Sequence, residues 1–278
     1  MSLQNVAIIA RTGPEARQYA RELRRLIAQS TTMRVVAPKT AEVIILLGGD
    51  GFLLSAVHKY QELGKPFLGI NFGDVGFFTN PRIKPRRLVK LLGGLERNFK
   101  SQWFPFVQVT YKTPAGETHA TFAFNEAMVE RMAGQALHLD IAINGVLLNN
   151  FSGDGVMVAT PQGSTGYAIN LGVGAAAVHP EVGCMMLVPV NPQKAWKYRS
   201  LLFPVVLPKT GVVEIRNRSQ HKRPARLVCD GKKFGEVFEV AISFVDHAVS
   251  LLEFSDPKLR ADYIKKLVDK IIGPPRDD

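Results

Sequence analysis

The stretch from Val43 to Leu54 limits what this chain can fold into more than any other. The aliphatic run Val43 to Leu47 enters a turn in which Gly48, Gly49 and Gly51 enclose Asp50, and an amphipathic pattern follows at once. This reads as a buried strand, a tight turn and a helix. The glycines permit positive φ and close backbone approach. The turn leaves free N–H groups at a helix N-terminus, an arrangement suited to phosphate. A carboxylate beside such a cradle repels phosphate, so Asp50 needs a reason of its own. Metal binding or proton acceptance from a hydroxyl supplies one; an ordinary βα turn with an Asp helix cap is the alternative.

The flanking sequence repeats the strand–helix rhythm. Val6 to Ala10 reads as a first strand, and Thr12 with Glu15 as the capping pair of a helix that buries Ala16, Tyr19, Ala20, Leu23, Leu26 and Ile27. Met33 to Val36 is a short strand. The helix from Gly51 is expected to bury Leu53, Leu54, Val57 and Tyr60. Phe67 to Ile70 is the next strand and ends in a second glycine-punctuated loop, Asn71 to Phe78, followed by a helix through Leu88, Leu91, Leu92 and Leu95. Alternating strands and helices predict a Rossmann-like parallel sheet over residues 1–100, with ligands at the carboxyl ends of its strands. Both glycine loops leave strands at that end and are expected to border one site.

The pattern changes near residue 101. Strands are predicted at Trp103 to Lys112, Thr118 to Phe124, Leu137 to Ile143, Val146 to Leu148, Val156 to Ala159, Met185 to Val188, Val205 to Leu207, Val212 to Ile215, Arg226 to Cys229 and Val237 to Ser243. Asn144-Gly145 is a two-residue hairpin signal. Residues 101–250 therefore read as an all-β domain, an antiparallel sandwich. Pro257 to Ile272 has helical periodicity, so residues 251–278 are expected to return to the α/β domain as a terminal helix.

Composition narrows the partners. The net charge of +11 favours anionic ligands, yet the basic residues are dispersed and lack the interleaved aromatics of a single-strand platform, so no nucleic-acid partner is expected. No apolar run approaches the ~18 residues of a membrane span and Met1 to Asn5 has no basic leader, so neither a membrane partner nor a signal peptide is expected. Cys184 and Cys229 form no metal spacing; they read as buried thiols in a reducing cytoplasm, with a disulfide between them as the alternative. The six histidines lack zinc pairing, and no protein metal site is predicted. Gly172 to Ala177 formally matches a dinucleotide fingerprint but follows no strand.

Other polar loops carry the remaining signal. Asn125-Glu126 follows an apolar strand directly. Gly153-Asp154-Gly155 precedes a strand that ends in Thr160 to Tyr167, a loop dense in hydroxyls and glycine that opens a helix and offers donors to a nucleotide. Asp230-Gly231 alone is a hairpin turn.

Together these loops resemble the NAD kinase family. The resemblance rests on Gly48-Gly49-Asp50-Gly51, Gly69-Ile70-Asn71 leading to Gly76-Phe77, Asn125-Glu126 with Arg131, Gly153-Asp154-Gly155, Thr160 to Tyr167, His179-Pro180, Pro204 to Pro208 and Asp230-Gly231, and covers about residues 40 to 235. It implies an α/β domain followed by a β-sandwich and transfer of a phosphoryl group from ATP or inorganic polyphosphate, with magnesium, to the adenosine 2′-hydroxyl of NAD. It implies Asp50 at the reacting hydroxyl, as base or through the metal, with Gly49 and Gly51 beside it. Asn125, Thr165, Gly166 and Tyr167 would hold the adenine end, Glu126 ribose, Asn170 would also belong to the cofactor-binding residues, and Asp154 would face the nicotinamide half. Phe77 would pack near adenine, and Tyr198 would reach in from a neighbouring subunit of a dimer or tetramer. Two positions depart from the family pattern, in which a Thr stands at Gln162 and an Ala at Gly166, and the segment Leu171 to Val178 is longer than usual. A lipid or sphingoid kinase sharing the Gly-Gly-Asp-Gly element, and a non-catalytic dinucleotide-binding module, are the alternatives.

Overall fold

The computed structural model describes residues 3–173, 182–194 and 201–259. They fall into two compact units, one of residues 3–103 and 249–259, the other within Phe104–Ala248.

The first unit begins with β1 (Asn5–Ala10), α1 (Pro14–Ser30), β2 (Arg34–Val35), β3 (Val43–Gly48), α2 (Asp50–Tyr60), β4 (Phe67–Asn71), α3 (Pro85–Leu92) and α4 (Leu95–Asn98). Its strands lie in the order β2-β1-β3-β4, all parallel, and the last strand of the chain, β15 (Glu239–Phe254), adds to β4 in parallel through Leu251 and Phe67. Every residue of β3 is buried, because helices cover both faces of the sheet. Val43, Ile45 and Leu47 join the core under α1 and α3. Ile44 and Leu46 point the other way, toward the side on which α2 sets Leu53 against Gly69. The apolar stripe of α1 is the predicted one, Ala16, Tyr19, Ala20, Leu23, Leu26 and Ile27. In α2 the buried residues are Leu53, Ala56 and Val57; Leu54 and Tyr60 are half-buried.

One predicted cap is replaced. Gly13, not Thr12, precedes α1, with no side-chain cap bond. Pro14 at the first helical position holds the residue before it extended, so the boundary falls at Gly13. Glu15 instead meets Arg82 at 2.7 Å.

The second unit is built from β5 (Phe99–Lys112), β6 (Thr118–Ala123), β7 (Glu126–Arg131), β8 (Leu137–Ile143), β9 (Val146–Ala159), β10 (Cys184–Pro192), β11 (Val205–Pro208), β12 (Val212–Asn217), β13 (Ala225–Cys229) and β14 (Lys232–Glu236); β5 and β15 also contribute residues to the first unit. Among the described residues, β5 to β14 and the first part of β15 pair antiparallel. The first half of β9 pairs with β8, whereas its second half lies between β7 and β10. Val156 and Val158 face the main sandwich core. Met157 and Ala159, of opposite parity, pack with Ala168 and Val173 from the segment that follows the strand.

The two short strands expected at Val146 and Val156 are thus one, and Gly153-Asp154-Gly155 lies inside it rather than in a loop. The physical reason is close backbone approach. A Cβ on Gly155 would stand 2.4 Å from Val129 O, and one on Gly153 would stand 2.9 Å from Asn191 O. The expected Val237 to Ser243 strand likewise extends through Phe254. The Asn144-Gly145 hairpin forms, with φ of 51° and 77°. Cys184 and Cys229 are free thiols, and burial, reinforced by neighbouring Asp230 and Glu126, pushes Cys229 up out of the range in which thiols react. Among the described residues no helix is long and apolar enough to cross a membrane. Beyond Leu259 the predicted terminal helix lies outside the described residues.

Gly155 should therefore tolerate no side chain. Gly155→Ala is expected to destabilise the protein by about 2–3 kcal/mol through overpacking against backbone, read as a lowered urea midpoint at unchanged m-value.

Candidate functional site

In the first unit, the turn after β3 and the loop after β4 meet at the carboxyl ends of adjacent strands, as expected. The second loop is tied at its far end by Asn80, which is buried. Its N–H donates to Gly69 O, its Nδ2 to Leu252 O at 2.7 Å, and its Oδ1 accepts the Phe254 N–H at 2.8 Å. Asn71 closes the near end by accepting the Gly73 N–H on Oδ1 at 2.8 Å. Gly76, at φ +69°, sits where a Cβ would strike the Asn71 amide at 2.4 Å.

Asp50 joins the two segments. It is the first residue of α2 and follows Gly49, so it is not the cap; its carboxylate reaches across instead. Oδ2 accepts the Phe77 N–H at 2.7 Å, while Oδ1 accepts the Phe78 N–H at 3.1 Å and the Thr79 hydroxyl at 3.3 Å. An ionised carboxylate offers about four acceptor positions, so these bonds leave Oδ2 room for one more donor. Asp50 and Phe77 are both half-buried.

The glycines of the motif serve different ends. A Cβ on Gly48 would run into the Phe52 ring at 2.4 Å, and one on Gly49 would press the Gly73 Cα at 3.3 Å. Gly51 is exposed and helical, and a Cβ there would meet nothing within 4 Å. The fold does not need a glycine at position 51.

In the second unit, the residues that follow β6 form a compact polar turn. Asn125 is buried, and its Oδ1 has no hydrogen-bond partner among the described residues. Thr160 donates its hydroxyl to Phe124 O at 2.7 Å and Asn125 O at 3.0 Å. Gln162 Nε2 donates to Pro105 O and Phe124 O, both at 2.7 Å. Gly163 packs so closely that a Cβ would stand 2.1 Å from Asn125 O, and a Cβ on Gly166 would stand 2.9 Å from Glu126 Oε2. Thr165 is buried and donates its hydroxyl inward to Gln162 O at 3.1 Å, whereas the Tyr167 ring and Asn170 are exposed. The helix expected to open here is two 3-10 segments, Gln162–Thr165 and Tyr167–Leu171, because the Ser164 and Gly166 N–H groups bond three residues back, to Pro161 O and Gly163 O. Further along β9, Asp154 accepts from Arg131 Nε at 2.8 Å and from Asn191 Nδ2 at 3.1 Å.

Tyr198 and His179-Pro180 lie outside the described residues. The sequence reading missed Thr79 as a partner of Asp50, Gln162 as a buried donor, and the carboxylate of Asp230, which bonds to the Phe124 to Glu126 backbone. Nothing local in the sequence points to these partnerships.

The chain resembles known proteins in sequence and in fold. Residues 30–97 match the ATP-NAD kinase N-terminal domain and residues 124–243 the ATP-NAD kinase C-terminal domain. An NAD kinase of Zymomonas mobilis is 31% identical over 265 residues, covering 94% of this chain and 96% of the relative. One of Streptococcus pneumoniae is 32% identical over 215 residues, 76% of each chain. In fold, the chain is similar to yeast NADH kinase complexed with NADH (TM-score 0.81, 21% identity, covering 100% of this chain and 90% of that one). It is also similar to an NAD kinase from Archaeoglobus fulgidus in complex with ATP (TM-score 0.71, 24% identity, covering 98% and 100%). An α/β unit followed by a β-sandwich, with an aspartate set among glycines after a buried parallel strand, defines a class of small-molecule kinases. The chain belongs to the NAD kinase family, and it is an enzyme of that family.

The isolated position of Gly51 yields a direct expectation. Gly51→Ala should leave the melting temperature unchanged or slightly higher, since alanine is the better helix residue by about 0.5–1 kcal/mol. Turnover should nevertheless fall by about ten-fold or more, because a helix N-terminus is a position suited to phosphate and the added methyl would obstruct it. Thermal unfolding and steady-state kinetics on one preparation check both halves.

Proposed function

We propose that this enzyme transfers the terminal phosphoryl group of ATP, or of inorganic polyphosphate, to the adenosine 2′-hydroxyl of NAD, giving NADP and the shortened donor. The observation that carries the reading is the adjacency of Asp50, a carboxylate with one acceptor position left on Oδ2, to Gly51, a glycine that the fold does not require.

Phosphoryl transfer asks for positioning and charge stabilisation more than covalent help. In this reading Asp50 Oδ2 accepts the proton of the 2′-hydroxyl as its oxygen bonds to the transferred phosphorus, and the donor leaves with the electrons of the broken P–O bond. The N–H groups at the start of α2 face the phosphates across Gly49 and Gly51. A magnesium ion would supply charge neutralisation on the donor. Magnesium typically keeps several waters and binds through one or two carboxylates plus substrate phosphates, and Asp50 is the carboxylate this reading offers it.

For the acceptor, Asn125 Oδ1 is a buried acceptor suited to the adenine amino group, and Glu126 is suited to ribose hydroxyls. Tyr167 and Asn170 offer an exposed ring and amide to the adenine end, while Thr165 and Gly166 support them from below. Phe77, in the first unit, has a half-buried ring. Asp154 takes the nicotinamide half, and Tyr198 of a neighbouring copy completes the site in a dimer or tetramer. The free thiols accord with a cytoplasmic enzyme.

Purified protein with NAD, magnesium and either ATP or polyphosphate should form NADP, detected by a coupled NADP-dependent dehydrogenase. Absence of NADP with both donors, from folded protein that binds NAD, would sink the proposal. Asp50→Asn should lower turnover by about 10²–10⁴-fold and leave NAD binding measurable by calorimetry. Normal turnover in that variant would remove Asp50 from proton transfer.

A further inference from the structure

Asp230 occupies a turn that does not need its charge. It joins β13 to β14 with Gly231, at φ of 47° and 79°. Asparagine or glycine would satisfy such a turn equally well. The carboxylate instead leaves the hairpin and binds a segment more than a hundred residues away in sequence. Oδ2 accepts the Phe124 N–H at 2.7 Å, and Oδ1 accepts the Asn125 N–H at 2.7 Å and the Glu126 N–H at 3.1 Å. The Asp230 N–H in turn donates to Glu126 O at 3.0 Å.

Three consecutive N–H groups converging on one carboxylate form a concave nest. A strand cannot do this, since its successive N–H groups point in opposite directions. The Asp230 carboxylate therefore accounts for the break between β6, which ends at Ala123, and β7, which starts at Glu126. On the opposite side Thr160 and Gln162 hold the carbonyls of Phe124 and Asn125. The backbone of the turn is fixed from both sides, and the directions of the Asn125 and Glu126 side chains follow from it. A negative charge near a site for anionic ligands opposes their binding, so its presence calls for a compensating task, and the three N–H bonds are that task.

We propose that Asp230 is the positioning residue of the acceptor site: its carboxylate sets Asn125 and Glu126 in the geometry that binds NAD, without touching NAD itself. This rests on the assignment of Asn125 and Glu126 to the nucleotide made above.

The test uses two variants compatible with the turn, Asp230→Asn, which keeps one acceptor oxygen, and Asp230→Gly, which keeps none. KM for NAD should rise by about ten-fold in Asp230→Asn and further in Asp230→Gly, since bonds to a charged acceptor are the strong ones. The kcat should change less than KM, and the melting temperature should not track the order of the KM values. In an Asn125→Ala/Glu126→Gln background, Asp230→Asn should produce little further rise. An unchanged KM, a loss confined to the melting temperature, or a full additional rise in that background would each overturn the proposal. If Asn125→Ala/Glu126→Gln alone leaves KM unmoved, the nucleotide assignment fails and the proposal falls with it. If that background raises KM while both Asp230 variants do not, the assignment stands and only the role of Asp230 is lost.

Discussion

Carboxylate-to-amide hydrogen bonds carry the functional geometry of this chain. Asp50 accepts the N–H groups of Phe77 and Phe78, and Asp230 accepts those of Phe124, Asn125 and Glu126. In each unit an aspartate beside a glycine fixes a loop remote in sequence, and that loop carries residues assigned to the ligand. An ionised acceptor makes each such bond stronger than a neutral one, about 1.5–3 kcal/mol against roughly 1 kcal/mol. Neither loop has a regular ladder of its own to hold its N–H groups, and leaving such groups unmet in a part-buried setting is unfavourable. The carboxylates thus determine conformation where secondary structure does not.

The glycines sort by the same kind of reasoning. Gly48, Gly155 and Gly163 face side-chain or backbone atoms that a Cβ would overlap, and Gly76 adds a positive φ. Their absence of a side chain serves the interior. Gly51 has open space around it and ordinary helical backbone, so neither packing nor φ calls for a glycine there. A motif of this kind therefore mixes packing with ligand access, and only the surroundings of each position separate the two.

Much of the fold was legible because periodicity reports burial directly. The α1 stripe, the fully buried β3, the alternating β8 and the Asn144-Gly145 hairpin all follow from local pattern. The readings that changed involve contacts distant in sequence. Gly153 and Gly155 look like loop residues until the backbones of β10 and β7 are placed against them. Thr12 looks like a cap until Pro14 moves the boundary. Of the candidate site, the sequence placed the two glycine loops together, but not the hydrogen bonds by which Asp50 joins them. Asp230 was legible as a turn and illegible as a clamp, since its partners lie more than a hundred residues earlier.

The two single-residue departures from the pattern on which the resemblance rests, Gln162 and Gly166, fall on one turn. Gln162, where a Thr is usual, is fully buried and reaches two carbonyls at once, Pro105 O and Phe124 O. A threonine hydroxyl there would carry one donor, against the two of the Gln162 amide, on a shorter stem. Gly166, where an Ala is usual, leaves space in which Glu126 Oε2 stands 2.9 Å from the missing methyl position. The first change tightens the carbonyl side of the Phe124 to Glu126 turn, and the second gives the Glu126 carboxylate room to settle inward. Both leave the N–H side to Asp230. Two substitutions that look unrelated in sequence therefore adjust a single feature, the placement of Asn125 and Glu126 on a backbone gripped from both sides.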